Sequence, residues 1–301
     1  VPAACMRANA ARFVEHDATG FNKYLDDLAS GRVTATTGAL QPHEILKRAV
    51  GEERGGKGKG KGKGKGNNID QLIAQAQWEA LVASVRESGV FDGCIAVCDV
   101  SGSMTQEAAS HVTCMDVSVS LSLLLAEVVE GPCARKLVTF SENPQLVALP
   151  STRQLAALNQ HTRGLEWGGR TNFFKVFDLL LQMSPPPRRV FVFSDMQFAE
   201  AGGGCGGTDL QRARAMYARE GLAMPELVFW NLVSHRGAPA AADEEGVALV
   251  SGFSPVMLKT LLQMGAPGPA APQDPDQLSG GAGSAEAPEA PEAPEAPEAP
   301  E

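Results

Sequence analysis

Residues 93–104 read GCIAVCDVSGSM, an apolar run that ends at an aspartate and is followed by two serines at alternate positions. The run over residues 94–98 has no polar alternation, which predicts a strand buried on both faces. Asp99, Ser101 and Ser103 then fall just beyond the carboxyl end of that strand, where open α/β sheets bind ligands. Three oxygen-bearing side chains on one short loop suit a small hard cation such as Mg²⁺.

Strands and helices alternate in the pattern from about residue 91 to residue 265, which predicts a parallel sheet with helices on both faces. A helix over residues 115–129, with apolar residues at helical spacing along one stripe, follows the loop. The expected fold is α/β, a doubly wound and mostly parallel six-stranded sheet of order 3-2-1-4-5-6 with one antiparallel edge strand. The six strands are predicted at residues 94–98, 136–140, 145–149, 190–194, 227–232 and 247–250.

The pattern divides the rest of the chain into flanking segments. Residues 1–54 are expected to be helical, including a helix that begins at Pro42, and are too few for a core of their own. They are therefore interpreted as the end of a larger helical region. Residues 55–67, which alternate glycine with lysine, predict a disordered linker, and residues 266–301, with Ala-Pro-Glu repeats, a disordered acidic tail. Residues 68–265 form the expected α/β domain.

Charge and composition exclude several classes of protein. The net charge is −9; the tail accounts for −8 and the Gly/Lys tract for +5, which leaves −6 on the rest. The chain is thus not a broadly basic nucleic-acid-binding protein. No apolar run approaches the roughly 18 residues of a membrane span. Six cysteines show no CxxC pair and no zinc-like spacing, which favours reduced thiols and a cytoplasmic location.

Two further oxygen side chains are expected at the same edge of the sheet. Asp195 ends the fourth strand, which the predicted order places beside the first. Thr171 lies in the loop before the helix that leads to that strand. Together with Asp99, Ser101 and Ser103, they predict a metal site built from three separate stretches of chain.

The five residues resemble the metal-ion-dependent adhesion site of von Willebrand factor A domains, with Asp-x-Ser-x-Ser, a later Thr and a later strand-terminal Asp. The resemblance implies that Ser101, Ser103 and Thr171 bind the metal directly through neutral hydroxyls. It implies that Asp99 and Asp195 act mostly through water and by orienting those hydroxyls. The metal would be Mg²⁺ or Mn²⁺, since both accept oxygen ligands.

A closer resemblance is to a largely uncharacterised family from plants and large DNA viruses, whose members join a helical N-terminal region to such an A domain. The same architecture is similar to that of the Ro-type RNA-binding proteins, in which helical repeats bind RNA. Two departures stand out: Met196 follows Asp195 where many A domains have glycine, and Asn172 stands where the closer family would have an acidic residue. The resemblance is carried by residues 42–45, 98–104, 139–146, 190–198, 225–232 and 247–253.

The expected function is non-enzymatic, divalent-metal-dependent binding. A cation held mainly by hydroxyls keeps positive charge and an open position, which an Asp or Glu of a protein partner would fill. No membrane and no small-molecule substrate are expected. RNA binding, suggested by the Ro-like architecture and the Lys tract, is the alternative. A serine hydrolase is a weaker rival, because Ser101 or Ser103 would need a nearby base and His111 is merely the nearest histidine in sequence.

Overall fold

The computed structural model describes residues 3–35, 40–51, 65–87, 89, 91–109, 111–165, 172–196, 207–233 and 246–252, with Met257 and Thr260. The strands are β1 (Cys94–Asp99), β2 (Glu107–Ala109), β3 (Val112–Thr113), β4 (Lys136–Phe140), β5 (Leu146–Ala148), β6 (Arg189–Ser194), β7 (Glu226–Asn231) and β8 (Val247–Ser251). The helices are α1 (Ala3–His16), α2 (Ala18–Ala29), α3 (Pro42–Val50), α4 (Lys65–Arg86), α5 (Cys114–Val128), α6 (Leu155–Arg163), α7 (Phe173–Leu181) and α8 (Gly207–Arg219).

The main sheet has six strands in the order β5-β4-β1-β6-β7-β8. Only the β4–β5 pair is antiparallel; the other pairs are parallel. This confirms the predicted order and the antiparallel edge strand. All six residues of β1 are buried, as its unbroken apolar run predicted, and β6 beside it is buried throughout as well. The two strands that end in the predicted site therefore lie at the centre of the sheet.

Helix α5 is buried along its whole length, although the sequence predicted a single apolar stripe. It packs on β1 with one side and meets α3, α4 and α6 with the others. Its small polar residues Ser118, Ser120 and Ser122 are completely covered. A helix enclosed on several sides loses the exposed face that amphipathic spacing implies.

The N-terminal helices pack in two ways. Helices α1 and α2 share a small apolar cluster with Ile73 of α4. Helix α3 instead joins the main core through Ile45, Leu46 and Ala49. The helical region is thus attached to the α/β domain through α3 and α4.

Several element boundaries differ from the predicted ones. Strand β5 is shorter at both ends than the strand predicted over residues 145–149, and α5 spans Cys114–Val128 where residues 115–129 were predicted. The β2–β3 hairpin was not predicted. The predicted tail lies outside the described residues, as do residues 55–64 of the predicted linker.

Two expectations from composition concerned the cysteines, expected as reduced thiols, and membrane-spanning segments, of which none was expected. The cysteines among the described residues form no disulfide bond, and Cys205 lies outside the described ranges. Within those ranges, no helix combines the length and the apolar character that crossing a membrane requires.

Candidate metal centre

The carboxylate of Asp99 shapes the loop that follows β1. Its side chain is 1% exposed, and its Oδ1 accepts a hydrogen bond from the backbone N–H of Ser101 (2.9 Å). This turn, in which an aspartate caps the backbone two residues on, is a common way to reverse a chain. The hydroxyl oxygens of Ser101 and Ser103 then lie 2.9 Å apart. The loop therefore brings the two serine hydroxyls within hydrogen-bond distance of each other.

The second oxygen of Asp99 is held by the neighbouring strand. The parallel register pairs Cys98 with Phe193, so the ends of β1 and β6 lie side by side. Ser194, the last residue of β6, donates its hydroxyl hydrogen to Asp99 Oδ2. The Met196 N–H donates in turn to Ser194 Oγ (3.1 Å). Both carboxylate oxygens of Asp99 thus accept hydrogen bonds that fix its orientation.

The site concentrates negative charge in a buried place. Burial, with a smaller contribution from the nearby carboxylate of Asp195, raises the pKa of Asp99 to about 6, although hydrogen bonds from Ser194 and Ser101 oppose the increase. Asp195 is itself 1% exposed. A divalent cation at such a place would favour the ionised carboxylates.

Gln106 contacts the site from a position that the sequence did not single out. Its side-chain amide donates a hydrogen bond to Asp195 Oδ2. Its backbone carbonyl accepts from the N–H of Cys114 (2.9 Å), the first residue of α5. Gln106 lies between a short 3₁₀ turn (Gly102–Thr105) and the unpredicted β2 strand, so no periodic pattern pointed to it.

Thr171, the fifth predicted ligand, lies outside the described residues. The residue after it, Asn172, donates its backbone N–H to the carbonyl of Ser141 (3.1 Å), directly after β4. Because β4 pairs with β1 up to Phe140 opposite Asp99, Asn172 is held at the same edge of the sheet. Its side chain caps α7 by accepting from the Lys175 N–H (3.1 Å), which gives this non-acidic residue a local role.

Met196 adopts a backbone conformation that favours glycine. Its φ is 62°, in the left-handed region where a side chain costs about 1–2 kcal/mol. The side chain is 1% exposed and belongs to the main core. Burial of a methionine is worth roughly 1.5–3 kcal/mol, which offsets the strain. The buried side chain therefore compensates for a backbone conformation in which glycine would carry no penalty.

The described residues contain no group of three or more His, Cys, Asp or Glu side chains arranged to hold a metal ion. The arrangement above is of a different kind, because it joins two carboxylates with serine hydroxyls. Such oxygen donors suit Mg²⁺ or Mn²⁺ rather than a soft metal.

His111 does not contact the serines in the described part of the chain. It is exposed, lies at the β2–β3 turn with φ 61°, and its carbonyl accepts a hydrogen bond from Lys47. The hydroxyl of Ser101 bonds instead to that of Ser103. Among the described residues, His111 is therefore not hydrogen-bonded to either serine.

Two family models match the chain. One, described as "Domain of unknown function (DUF7788)", matches residues 93–276, and the other, "Domain of unknown function (DUF2828)", matches residues 1–91. The boundary between the two matches falls between α4 and β1. The Uncharacterized protein L728 of Acanthamoeba polyphaga mimivirus is 31% identical over 256 residues, which cover 81% of this chain and 41% of that protein.

A solved structure shares the fold. The Ro (RSR) protein of Deinococcus radiodurans is similar with a TM-score of 0.53 and 20% sequence identity, over 83% of this chain and 49% of that chain. At this identity the likeness concerns the fold alone. The chain spans less than half the length of either relative.

Proposed function

The chain belongs to the family described as Domain of unknown function (DUF7788), and we propose that it is a non-enzymatic module that binds Mg²⁺ or Mn²⁺ and, through the metal, an acidic side chain of a protein partner. The observation that carries the proposal is the meeting of Asp99, Ser101, Ser103 and Asp195. The serine hydroxyls lie 2.9 Å apart, and Asp195 directly follows β6, the strand that pairs with β1. The four residues come from the ends of two adjacent central strands.

The donor set supports a cation that keeps part of its charge. Ser101 and Ser103 would hold the metal through neutral oxygens. Asp99 and Asp195 would not bind it directly but would orient the ligands through hydrogen bonds. When bound, the metal would supply a positive centre that attracts a carboxylate. Thr171 would add a third hydroxyl, by resemblance to the A-domain site. The hydrogen bonds to both oxygens of Asp99 support the orienting role, because they leave that carboxylate little freedom to turn.

The first test is a titration of the full chain with Mn²⁺, in which free Mn²⁺ is followed by electron paramagnetic resonance. We expect one saturable site in the wild type, competition by Mg²⁺, and loss of the site in Asp99→Ala and Ser101→Ala. Ser151→Ala is the matched control, because Ser151 is exposed and lies beyond β5, away from the loop after β1. Equal Mn²⁺ binding by all four proteins, or none by the wild type, would overturn the metal site.

The second test concerns the partner. Proteins retained by the immobilised wild type are compared with those retained by Asp99→Ala, each with Mg²⁺ and with EDTA. Metal-bridged binding requires a partner that is retained by the wild type with Mg²⁺ and lost in the other three conditions. Its own carboxylate can then be located by replacing Asp and Glu with Asn and Gln. The same partners in all four conditions would refute the proposal.

RNA binding is the second candidate, and it rests on the Lys tract at residues 57–65 and on the Ro-like architecture. Counterion release makes such binding strongly salt-dependent. Deletion of residues 55–66 should then abolish retention of a radiolabelled RNA, whereas Asp99→Ala should not. RNA retention that survives the deletion would overturn this second candidate.

A further inference from the structure

We infer that the helical region is coupled to the metal site through Lys47 and Gln106, with Gln106 as a positioning residue for Asp195. This inference rests on the proposed metal binding. It assigns to α3 an effect on the site, although α3 belongs to the part of the chain that matches a different family. The coupling follows a continuous series of contacts among described residues.

The first contact lies at the site itself. Gln106 donates to Asp195 Oδ2, so one oxygen of this buried carboxylate is held by a neutral amide. The amide fixes the carboxylate plane without adding charge, which leaves the negative charge of Asp195 available to a cation. A carboxylate that orients the metal ligands is itself oriented by its other hydrogen-bond partners, such as this amide.

The second contact fixes Gln106 to α5. Its carbonyl accepts from the Cys114 N–H (2.9 Å) at the first turn of the helix. That turn is capped reciprocally: the Thr113 N–H donates to Asp116 Oδ2 (2.9 Å), and the Asp116 N–H donates to Thr113 Oγ1 (3.2 Å). The chain between Gln106 and Thr113 is the β2–β3 hairpin. The start of α5 and the loop that carries Gln106 are thus one hydrogen-bonded unit.

The third contact ties this unit to the helical region. Lys47 of α3 places its Nζ 2.9 Å from Asp116 Oδ2 and also donates to the carbonyl of His111 at the hairpin turn. The side chains of Lys47 and Asp116 are 18% and 4% exposed, so the ion pair is largely shielded from water. Arg163 of α6 pairs with the other oxygen of Asp116. Lys47 therefore contacts both the hairpin turn, at His111, and the first turn of α5, at Asp116.

The groups around Asp116 favour its ion pair with Lys47. Burial alone would raise the pKa of Asp116, but hydrogen bonds from Lys47, the Thr113 N–H and Arg163 lower it overall. The ionised carboxylate is therefore the stable form in the folded protein. Removal of Lys47 would weaken the attachment of the hairpin and leave Arg163 and the helix cap to hold Asp116.

Coupling of this kind is reciprocal. If α3 docking orients Asp195 for metal binding, metal binding must stabilise α3 docking by the same factor. Residues along such networks commonly change coupling by 0.5–2 kcal/mol, which corresponds to about 2- to 30-fold in affinity. We therefore expect metal to slow the exchange of amide hydrogens in α3, at residues 42–50, far along the chain from the ligands.

The test uses the full chain with Mn²⁺ alone as the probe. Lys47→Met and Gln106→Met should each weaken Mn²⁺ affinity by about 3- to 10-fold and remove the Mn²⁺-dependent slowing of exchange in α3. Lys47→Arg, which keeps the charge beside Asp116, should restore both. Lys23→Met is the control, because Lys23 is exposed on α2. Melting curves without metal confirm that each variant is folded at the temperature of the titration.

The outcomes separate this inference from the proposed function. No Mn²⁺ binding by the wild type overturns the proposed function and the coupling with it. Wild-type binding that is unchanged in Lys47→Met and Gln106→Met, with no metal effect on α3, overturns the coupling alone. Weakened binding in Gln106→Met but not in Lys47→Met keeps Gln106 as a positioning residue and rejects the role of α3. A loss of stability alone would leave the affinity of the folded variants and the metal effect on α3 unchanged.

Discussion

Ser194 donates its hydroxyl hydrogen to Asp99 Oδ2 across the adjacent ends of β1 and β6. The two residues belong to neighbouring parallel strands and lie 95 positions apart in sequence. Both are buried, so the hydrogen bond is made away from water. It joins the start of the loop that carries the serine pair to the end of β6, the strand that Asp195 follows. The geometry of the candidate site therefore depends on a residue that is not itself a predicted ligand.

Replacement of Ser194 by alanine should weaken the fold and raise the pKa of Asp99. Hydrogen bonds to charged groups contribute about 1.5–3 kcal/mol, and the loss would leave a buried carboxylate oxygen unsatisfied. We expect the free energy of unfolding in urea to fall by about that amount at neutral pH. Ser151→Ala, at an exposed position, should change it little. A Ser194→Ala protein as stable as wild type would show that the bond contributes nothing in solution.

Stability without metal should depend on pH through Asp99. Burial raises its pKa in the folded state from the ordinary 3.8 to about 6, so between these two pH values the folded state binds more protons than the unfolded state. The contribution of Asp99 to stability therefore falls as pH rises from about 4 to above about 6. A rise in pKa of this size corresponds to about 3 kcal/mol of stability.

The measurement is the difference in unfolding free energy between Asp99→Asn and wild type, because the difference removes the effect of other titrating groups. Asparagine has no charge to bury, so the variant should gain on wild type as pH rises through this window. With saturating Mg²⁺ the gain should shrink, since metal would stabilise the wild-type carboxylate. A difference that stays constant with pH would contradict a raised pKa at Asp99.

Addition of Mg²⁺ should raise the melting temperature of the wild type, and EDTA should reverse the rise. A ligand that binds only the folded state adds about 2.7 kcal/mol at 100 times its dissociation constant. Ser103→Ala should reduce the rise, because it removes one of the two hydroxyls that meet 2.9 Å apart. Thr105→Ala is a suitable control from the same turn, since the Thr105 hydroxyl bonds to the carbonyl of Gly102 and is exposed. Equal shifts in both variants would argue against Ser103 as a ligand.

The sequence was sufficient to predict the order of the strands and the positions of Asp99 and Asp195 at the strand ends, because both depend on where apolar runs end. Asp99 and Asp195 each follow such a run, and parallel strands end at one edge. Ser194 and Gln106 could not be predicted in the same way. Ser194 reads as the last residue of an apolar strand, and its role depends on the direction of one hydroxyl. Gln106 precedes a two-stranded hairpin too short to give a periodic signal.

The full burial of α5 was missed for a different reason. The spacing of its apolar residues predicts the face that packs on the sheet, but the cover on its other sides comes from α3, α4 and α6. Such packing is decided by distant parts of the chain, and the anchor of Lys47 on Asp116 is part of it. Periodicity within one helix carries no information about those partners.

At position 196, glycine should give a more stable protein than alanine, which is the reverse of their usual order of stability. Elsewhere glycine costs roughly 0.5–1 kcal/mol relative to alanine, because it loses more freedom on folding. At φ 62° alanine carries the left-handed penalty of about 1–2 kcal/mol and glycine does not. Both variants lose the buried methionine side chain, so both should be less stable than wild type. We therefore expect the free energy of unfolding, measured in urea, to be highest for the wild type, lower for Met196→Gly and lowest for Met196→Ala.

A Met196→Ala protein that is more stable than Met196→Gly would mean that this position relaxes out of the left-handed conformation once the side chain is removed. The backbone N–H of Met196 that bonds to Ser194 Oγ would then move too, and Ser194 would no longer be held against Asp99.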